Sequence, residues 1–163
     1  MTTLAQSGLA VTLPAGWEGR IYRRAPEAAL PGEPATSRPA VALVGRTNPV
    51  LHLANFPLAP DVADYGGGAV EVMTNTDLFV ALIEFGPGSI GQALFAAQGM
   101  PRLKAEDFGT QSMQRVLEGQ GGAQKWFTEA GRAFGLYVVL GSYARRFRTV
   151  PVVNGILATI AIT

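Results

Sequence analysis

Leu78-Phe79-Val80-Ala81-Leu82-Ile83-Glu84-Phe85 is apolar on both of the faces between which a β-strand alternates. A strand with one wet face would place a polar side chain at every second position, and no polar residue occurs here before Glu84. The stretch therefore reads as a central strand covered on both sides. Phe134-Gly135-Leu136-Tyr137-Val138-Val139-Leu140 has the same character. Its segment, Ala133 to Leu140, forms the second arm of a hairpin with Lys125 to Thr128, across Glu129-Ala130-Gly131-Arg132. From Val50 to Phe56, Leu51, Leu53 and Asn55 share one face, while Val50, His52, Ala54 and Phe56 share the other. Leu9, Val11 and Leu13 alternate with small or polar residues as a first strand, broken by Pro14-Ala15-Gly16. Gly19 to Arg23 and Val41 to Val44 are further strand candidates. Val70 and Val72 start another, which stops at Thr74-Asn75-Thr76.

Helical periodicity is weaker. Ser89 can cap a short helix through Gln98, with Ile90, Ala93, Leu94 and Ala97 at helical spacing and Gly99 and Pro101 as its stop. Met113, Val116 and Leu117 suggest a second, ended by Gly119, after which Gly121-Gly122 reads as a turn. In the tail, Val152, Val153, Ile156, Leu157 and Ile160 predict a third helix, capped by Thr149, with Pro151 in its first turn and Gly155 allowing close approach to a sheet. Residues 25 to 39 carry four prolines and read as a surface loop, and Pro57 to Gly68 as another. Strands outnumber helices and cluster in neighbouring pairs. The expected fold is a single α+β domain over residues 1 to 163: an antiparallel sheet of about six strands flanked by two or three short helices, the C-terminal one packed on the sheet.

Composition narrows the function classes. Charged residues make up 15% of the 163 positions, against about 25% in typical globular domains. A chain this apolar must bury its surplus or show it to a partner, so self-association or a protein partner is expected. The net charge of +1 gives no global attraction to nucleic acid or acidic membranes. The absence of cysteine excludes disulfides, thiol catalysis and thiolate metal sites. No apolar run approaches the ~20 residues of a membrane-spanning helix, and Met1 to Trp17 lacks the basic and apolar blocks of a secretory leader. A cytoplasmic protein is expected.

Chemistry-bearing motifs are few. Gly86-Pro87-Gly88-Ser89-Ile90-Gly91 is a literal G-x-G-x-x-G with Glu106 and Asp107 beyond it, the layout of a dinucleotide site. The acidic pair follows no strand and too few βαβ units surround it, so a strand-to-helix turn is the better reading. His52, the single histidine, has no Gly-x-Ser-x-Gly elbow or cysteine to serve. Asp61, Asp64 and Glu71 could meet around calcium but lack EF-hand spacing. No catalytic residue, metal or cofactor is assigned. Glu84, inside an apolar strand, is either a buried acid–base group or a residue near the strand end that reaches water or an arginine. Arginines cluster at Arg20, Arg23 and Arg24 and again at Arg145, Arg146 and Arg148, where guanidinium groups could hold an anion. The second cluster should precede the C-terminal helix, since cations oppose its dipole there. Neither cluster reads as interleaved with exposed aromatics, so nucleic acid is not the expected partner. Trp17 reads as a plug on the core or an interface anchor.

Leu13-Pro14-Ala15-Gly16-Trp17, closing a strand, resembles the P-x-G-W opening of Mog1/PsbP-like domains. The late hairpin and a C-terminal helix carrying Asn154-Gly155-Ile156-Leu157-Ala158-Thr159-Ile160 are similar to the close of those domains. The resemblance implies an antiparallel sheet flanked by helices and an accessory, non-catalytic binding role, and it transfers no ligand and no site residue. The expected function is a non-enzymatic binding or assembly module. The alternatives are a small-ligand protein or enzyme with a pocket between sheet and helices, and anionic-ligand binding through the arginines. Candidate binding residues are Trp17, His52, Glu84, Arg145, Arg146 and Arg148.

Overall fold

A computed structural model describes residues 1–24 and 48–163. The doubly apolar stretch is β5 (Leu78–Phe85), the middle strand of a five-stranded antiparallel sheet. Around it lie β3 (Glu18–Arg23), β4 (Pro49–Ala54), β6 (Gly121–Glu129) and β7 (Arg132–Leu140), in the order β3-β4-β5-β7-β6. The register aligns Ala81 with His52 on one side and with Tyr137 on the other. Side chains therefore divide by parity. Leu78, Val80 and Leu82 share a face with Leu51, Leu53, Leu136 and Val138. Phe79, Ala81 and Ile83 share the opposite face with Val50, Ala54, Tyr137 and Val139. Each fully buried aliphatic or aromatic side chain contributes roughly 1.5–3 kcal/mol, and that is why two faces of core can hold a sheet this poor in charge.

A second antiparallel sheet closes over the first face. It consists of β1 (Thr2–Gln6), β2 (Leu9–Leu13) and β8 (Ala161–Ile162), in the order β1-β2-β8. Leu9, Val11 and Leu13 of β2 join the same core as Val150, Val153, Ile156 and Leu157 of an α-helix, α1 (Arg146–Leu157). The opposite face is covered by the segment after β4, through Val62, Ala69 and Val70, with Tyr65 and Leu117 packed beside them. No helix among the described residues is long and apolar enough to cross a membrane.

The α+β class and the antiparallel pairing agree with the sequence pattern, but the described residues form two sheets, of three and five strands, rather than one of six. Among the described residues one α-helix forms where two or three were expected. Ser89 to Gln98 makes only 3-10 turns, at Pro87–Ser89 and Ala93–Phe95. Gly91 adopts φ 86° and interrupts the run. The apolar spacing is not used either: Ile90 and Leu94 are exposed, and the buried residue is Phe95, against the ring of Phe85 at 5.3 Å. Met113, Val116 and Leu117 lie in irregular chain, with Val116 exposed. Gly121-Gly122 is no turn but the start of β6, and the Gly122 amide and carbonyl both pair with Gly109. Val70 and Val72 belong to a single 3-10 turn, one residue buried and the other exposed, rather than a strand.

The hairpin is tighter than the four-residue turn expected from Glu129-Ala130-Gly131-Arg132. Ala130 and Gly131 alone make it, both at positive φ, as a two-residue connection between right-twisted strands requires. In the tail, α1 begins a turn earlier than expected because Val150 is a buried anchor ahead of Val153. Pro151 consequently lies inside the helix. Thr149 does not cap it; its hydroxyl donates back to the Arg145 carbonyl at 3.2 Å. Gly155 faces solvent with nothing within 4 Å, so it mediates no close packing. The proline-rich loop at 25–39 and the strand candidate at Val41 to Val44 lie outside the described residues.

Candidate functional site: an arginine–aromatic face beside a polar cleft

The sequence Tyr143-Ala144-Arg145-Arg146-Phe147-Arg148 opens α1. The Tyr143 amide donates to the Gly119 carbonyl at 2.7 Å, which fixes the entry of the chain. Arg145 is the residue preceding the helix, and Arg146 and Arg148 lie in its first turn rather than before it. The buried stripe of Val150, Val153, Ile156 and Leu157 turns the other side of the helix outward. Phe147 is 65% exposed, Val152 50% and Tyr143 40%, so the outward side is apolar as well as basic. The Arg146 guanidinium lies over the rings of both Tyr143, at 4.0 Å, and Phe147, at 4.6 Å. This second cluster is thus interleaved with exposed aromatics, contrary to the sequence reading.

Three cations at the positive end of a helix dipole each oppose it by roughly 0.3–1 kcal/mol. Nothing nearby offsets this: no carboxylate among the described residues lies within ion-pairing distance of Arg145, Arg146 or Arg148. The sequence carries no acidic residue after Glu129.

Tyr143 also lines a cleft of about 590 Å³, whose other walls include Glu106, Asp107, Thr110, Ser112 and Gln120. Asp107 is engaged by Lys125 at 2.8 Å, and that ammonium and its backbone partner hold its carboxyl below the ordinary range despite partial burial. Gln120 is 7% exposed; its amide nitrogen donates to the Val70 carbonyl at 2.8 Å, whereas its Oε1 has no partner.

The other candidates are distributed elsewhere. His52 is fully buried on the face away from the second sheet, between the rings of Tyr22 and Phe79 at 5.2 and 5.1 Å. Its Nε2 meets the Asp64 carbonyl at 2.9 Å and its Nδ1 has no partner. Loss of water pushes the imidazole down to about 4, with Arg20 adding to the effect and Asp64 opposing it. Tyr22 donates its hydroxyl to the Asp64 carboxylate, and burial with that bond raises the phenol well above its usual range.

Arg20 and Arg24 are built into the fold. Arg20 donates to the Pro60 carbonyl and Arg24 to the Glu84 carbonyl, both at 2.6 Å. Among the described residues no group of three His, Cys, Asp or Glu residues comes together as metal ligands, so Asp61, Asp64 and Glu71 do not converge.

Glu84 lies on the opposite face of the sheet from His52, by the register of β4 and β5, so the two do not share a site. Arg132 holds both of its oxygens, at 2.9 and 2.6 Å, and also donates to the carbonyls of Ser7, Gly8 and Thr163. Glu84 is thereby an ion-pair partner, and Arg132 ties the two sheets together. Trp17, brought round by a turn in which its amide donates to the Pro14 carbonyl, packs half-buried against the core between the sheets. Gly86 to Gly91 has no helix behind it, which removes the dipole that a phosphate would need.

Sequence reading missed Tyr143, Phe147, Gln120 and Arg132. For the first two the signal was present as their alternation with arginines. For the other two it was not, since their partners lie far along the chain. No protein-family model, no curated protein and no solved structure matches this chain.

Proposed function

We propose that this protein is a non-enzymatic binding module that engages an anionic group through Arg145, Arg146 and Arg148, with Tyr143 and Phe147 as the apolar part of the same surface. The observation that carries the reading is the set of three arginines at a helix N-terminus with no carboxylate partner among the described residues. An anion there would relieve both their mutual repulsion and their conflict with the dipole. The resemblance to Mog1/PsbP-like domains points the same way, towards binding without catalysis. The sealing of His52 and the engagement of Glu84 leave neither in a position to meet a substrate.

Calorimetric titration with inorganic tripolyphosphate tests this. The wild-type chain should bind, more weakly as salt rises. Arg145→Ser/Arg148→Ser should bind at least about tenfold more weakly, as expected when charge-assisted contacts are removed. Equal binding by the double variant would sink the proposal.

Self-association is the second reading, carried by the shortage of charge and by the exposed Ile90 and Leu94. It would use a surface other than the start of α1, because a two-fold interface there would set three arginines against the same three.

A further inference from the structure

The cleft beside the arginines has its own chemistry. Its volume of about 590 Å³ falls within the roughly 300–1,000 Å³ of small-molecule sites. Its walls mix polar and apolar groups, and the polar ones include acceptors. Glu106 contributes a carboxylate, and Gln120 contributes an amide whose Oε1 is buried without a donor. A buried carbonyl oxygen left without a hydrogen bond costs about 1–3 kcal/mol; the Gln120 Oε1 is sealed from solvent, so a ligand donor would recover that cost only as the amide turns towards the cleft. Thr110 and Ser112 add hydroxyl groups to the same wall. Such a lining suits hydroxyl groups better than aromatic rings. The Tyr143 ring, which lines the cleft, is already covered by Arg146 and packs close to Gly121. It offers little open face for stacking. Cleft and arginines meet at Tyr143.

We infer that the cleft binds the hydroxylated part of a phosphorylated polyol while Arg145 and Arg146 hold its phosphate. The orientation follows from charge. Glu106 lines the cleft and repels a phosphate, whereas the Tyr143 side carries Arg146 on its ring. The inference rests on the anion-binding reading above and names the ligand class for it. The same headgroup chemistry is presented by a free sugar or inositol phosphate and by a phosphoinositide lipid.

The experiment compares inositol 1-phosphate, inorganic phosphate and inositol by titration, with the wild-type chain and with Thr110→Trp. Thr110 is exposed, so the indole fills the cleft without entering the core. Inositol 1-phosphate should bind at least about tenfold more tightly than inorganic phosphate, the worth of one or two hydrogen bonds. Thr110→Trp should erase that difference while keeping tripolyphosphate binding. A parallel arm uses phosphatidylcholine vesicles containing either phosphatidylinositol or phosphatidylglycerol. Preference for phosphatidylinositol vesicles over the soluble headgroup identifies a lipid source, and the reverse a soluble one. If inositol 1-phosphate binds no better than phosphate and both vesicle types bind alike, the cleft assignment is overturned and the anion-binding face stands. If tripolyphosphate binding is missing as well, both fall.

Discussion

Between about pH 7.5 and about pH 5, acidification should destabilise this protein mainly through a single residue. His52 is the one histidine in the chain, it is fully buried, and its imidazole is held neutral down to about 4. In the unfolded chain the same group titrates at its ordinary 6.5. Between these values the unfolded state binds a proton that the native state refuses, so stability is complete above about pH 6.5 and falls as pH is lowered towards 4. Linkage gives a loss of about 2 kcal/mol on going from about pH 7.5 to about pH 5, and about 3 kcal/mol over the whole window. Carboxylates held low in the native state, such as Asp107, act mainly below that range, so its upper part reports on His52. Urea unfolding followed by tryptophan fluorescence at the two pH values measures the difference. His52→Leu keeps an apolar group of similar size among Tyr22, Phe79 and the neighbouring aliphatic side chains and removes the titration. Its stability should vary by less than about 0.5 kcal/mol between the same two pH values. A wild-type chain with unchanged stability at about pH 5, or a His52→Leu chain that loses as much as wild type, would refute the assignment.

Two further outcomes follow from the packing. Arg132→Met should cost about 2–3 kcal/mol in urea unfolding, because it strands a largely but not fully buried Glu84 carboxylate and frees the carbonyls that join the two sheets. Adding Glu84→Leu should recover part of that loss, since the unpaired charge is the larger cost. Gly141→Ala should destabilise by about 3 kcal/mol or more, as a Cβ there would collide with the Thr74 carbonyl oxygen and press on that of Asp77, which also accepts the Gly141 amide; a change below about 1 kcal/mol would show that the Thr74–Asp77 turn yields easily.

The strands were legible because their signal is local. Leu78 to Phe85 declares two buried faces by composition alone, and Leu51 and Leu53 declare their shared face by parity. The helices were not, because short apolar spacing is ambiguous where glycines interrupt it. Ile90 and Leu94 had the right period, yet Gly91 at positive φ and the pull of Phe95 onto Phe85 decided the outcome. The two-residue strand β8 had no signal at all: it exists because Leu9 and Ala10 offer it a partner at the other end of the chain. The site was half legible. Arg145, Arg146 and Arg148 stood out, but the start of α1 depended on the tertiary burial of Val150, so Tyr143 and Phe147 could not be placed outward from periodicity. Gln120 was invisible, since a glutamine in a glycine-rich stretch carries no mark of burial until its partner, the Val70 carbonyl, is known.

Mapping backbone amide resonances during a tripolyphosphate titration shows whether the start of α1 is an anion-binding surface. The largest shifts should fall on residues 143 to 149, with smaller ones at Gly119 and Gln120, and should shrink as salt is added. Shifts concentrated around Arg20 and Arg24, or scattered evenly over the surface, would contradict it.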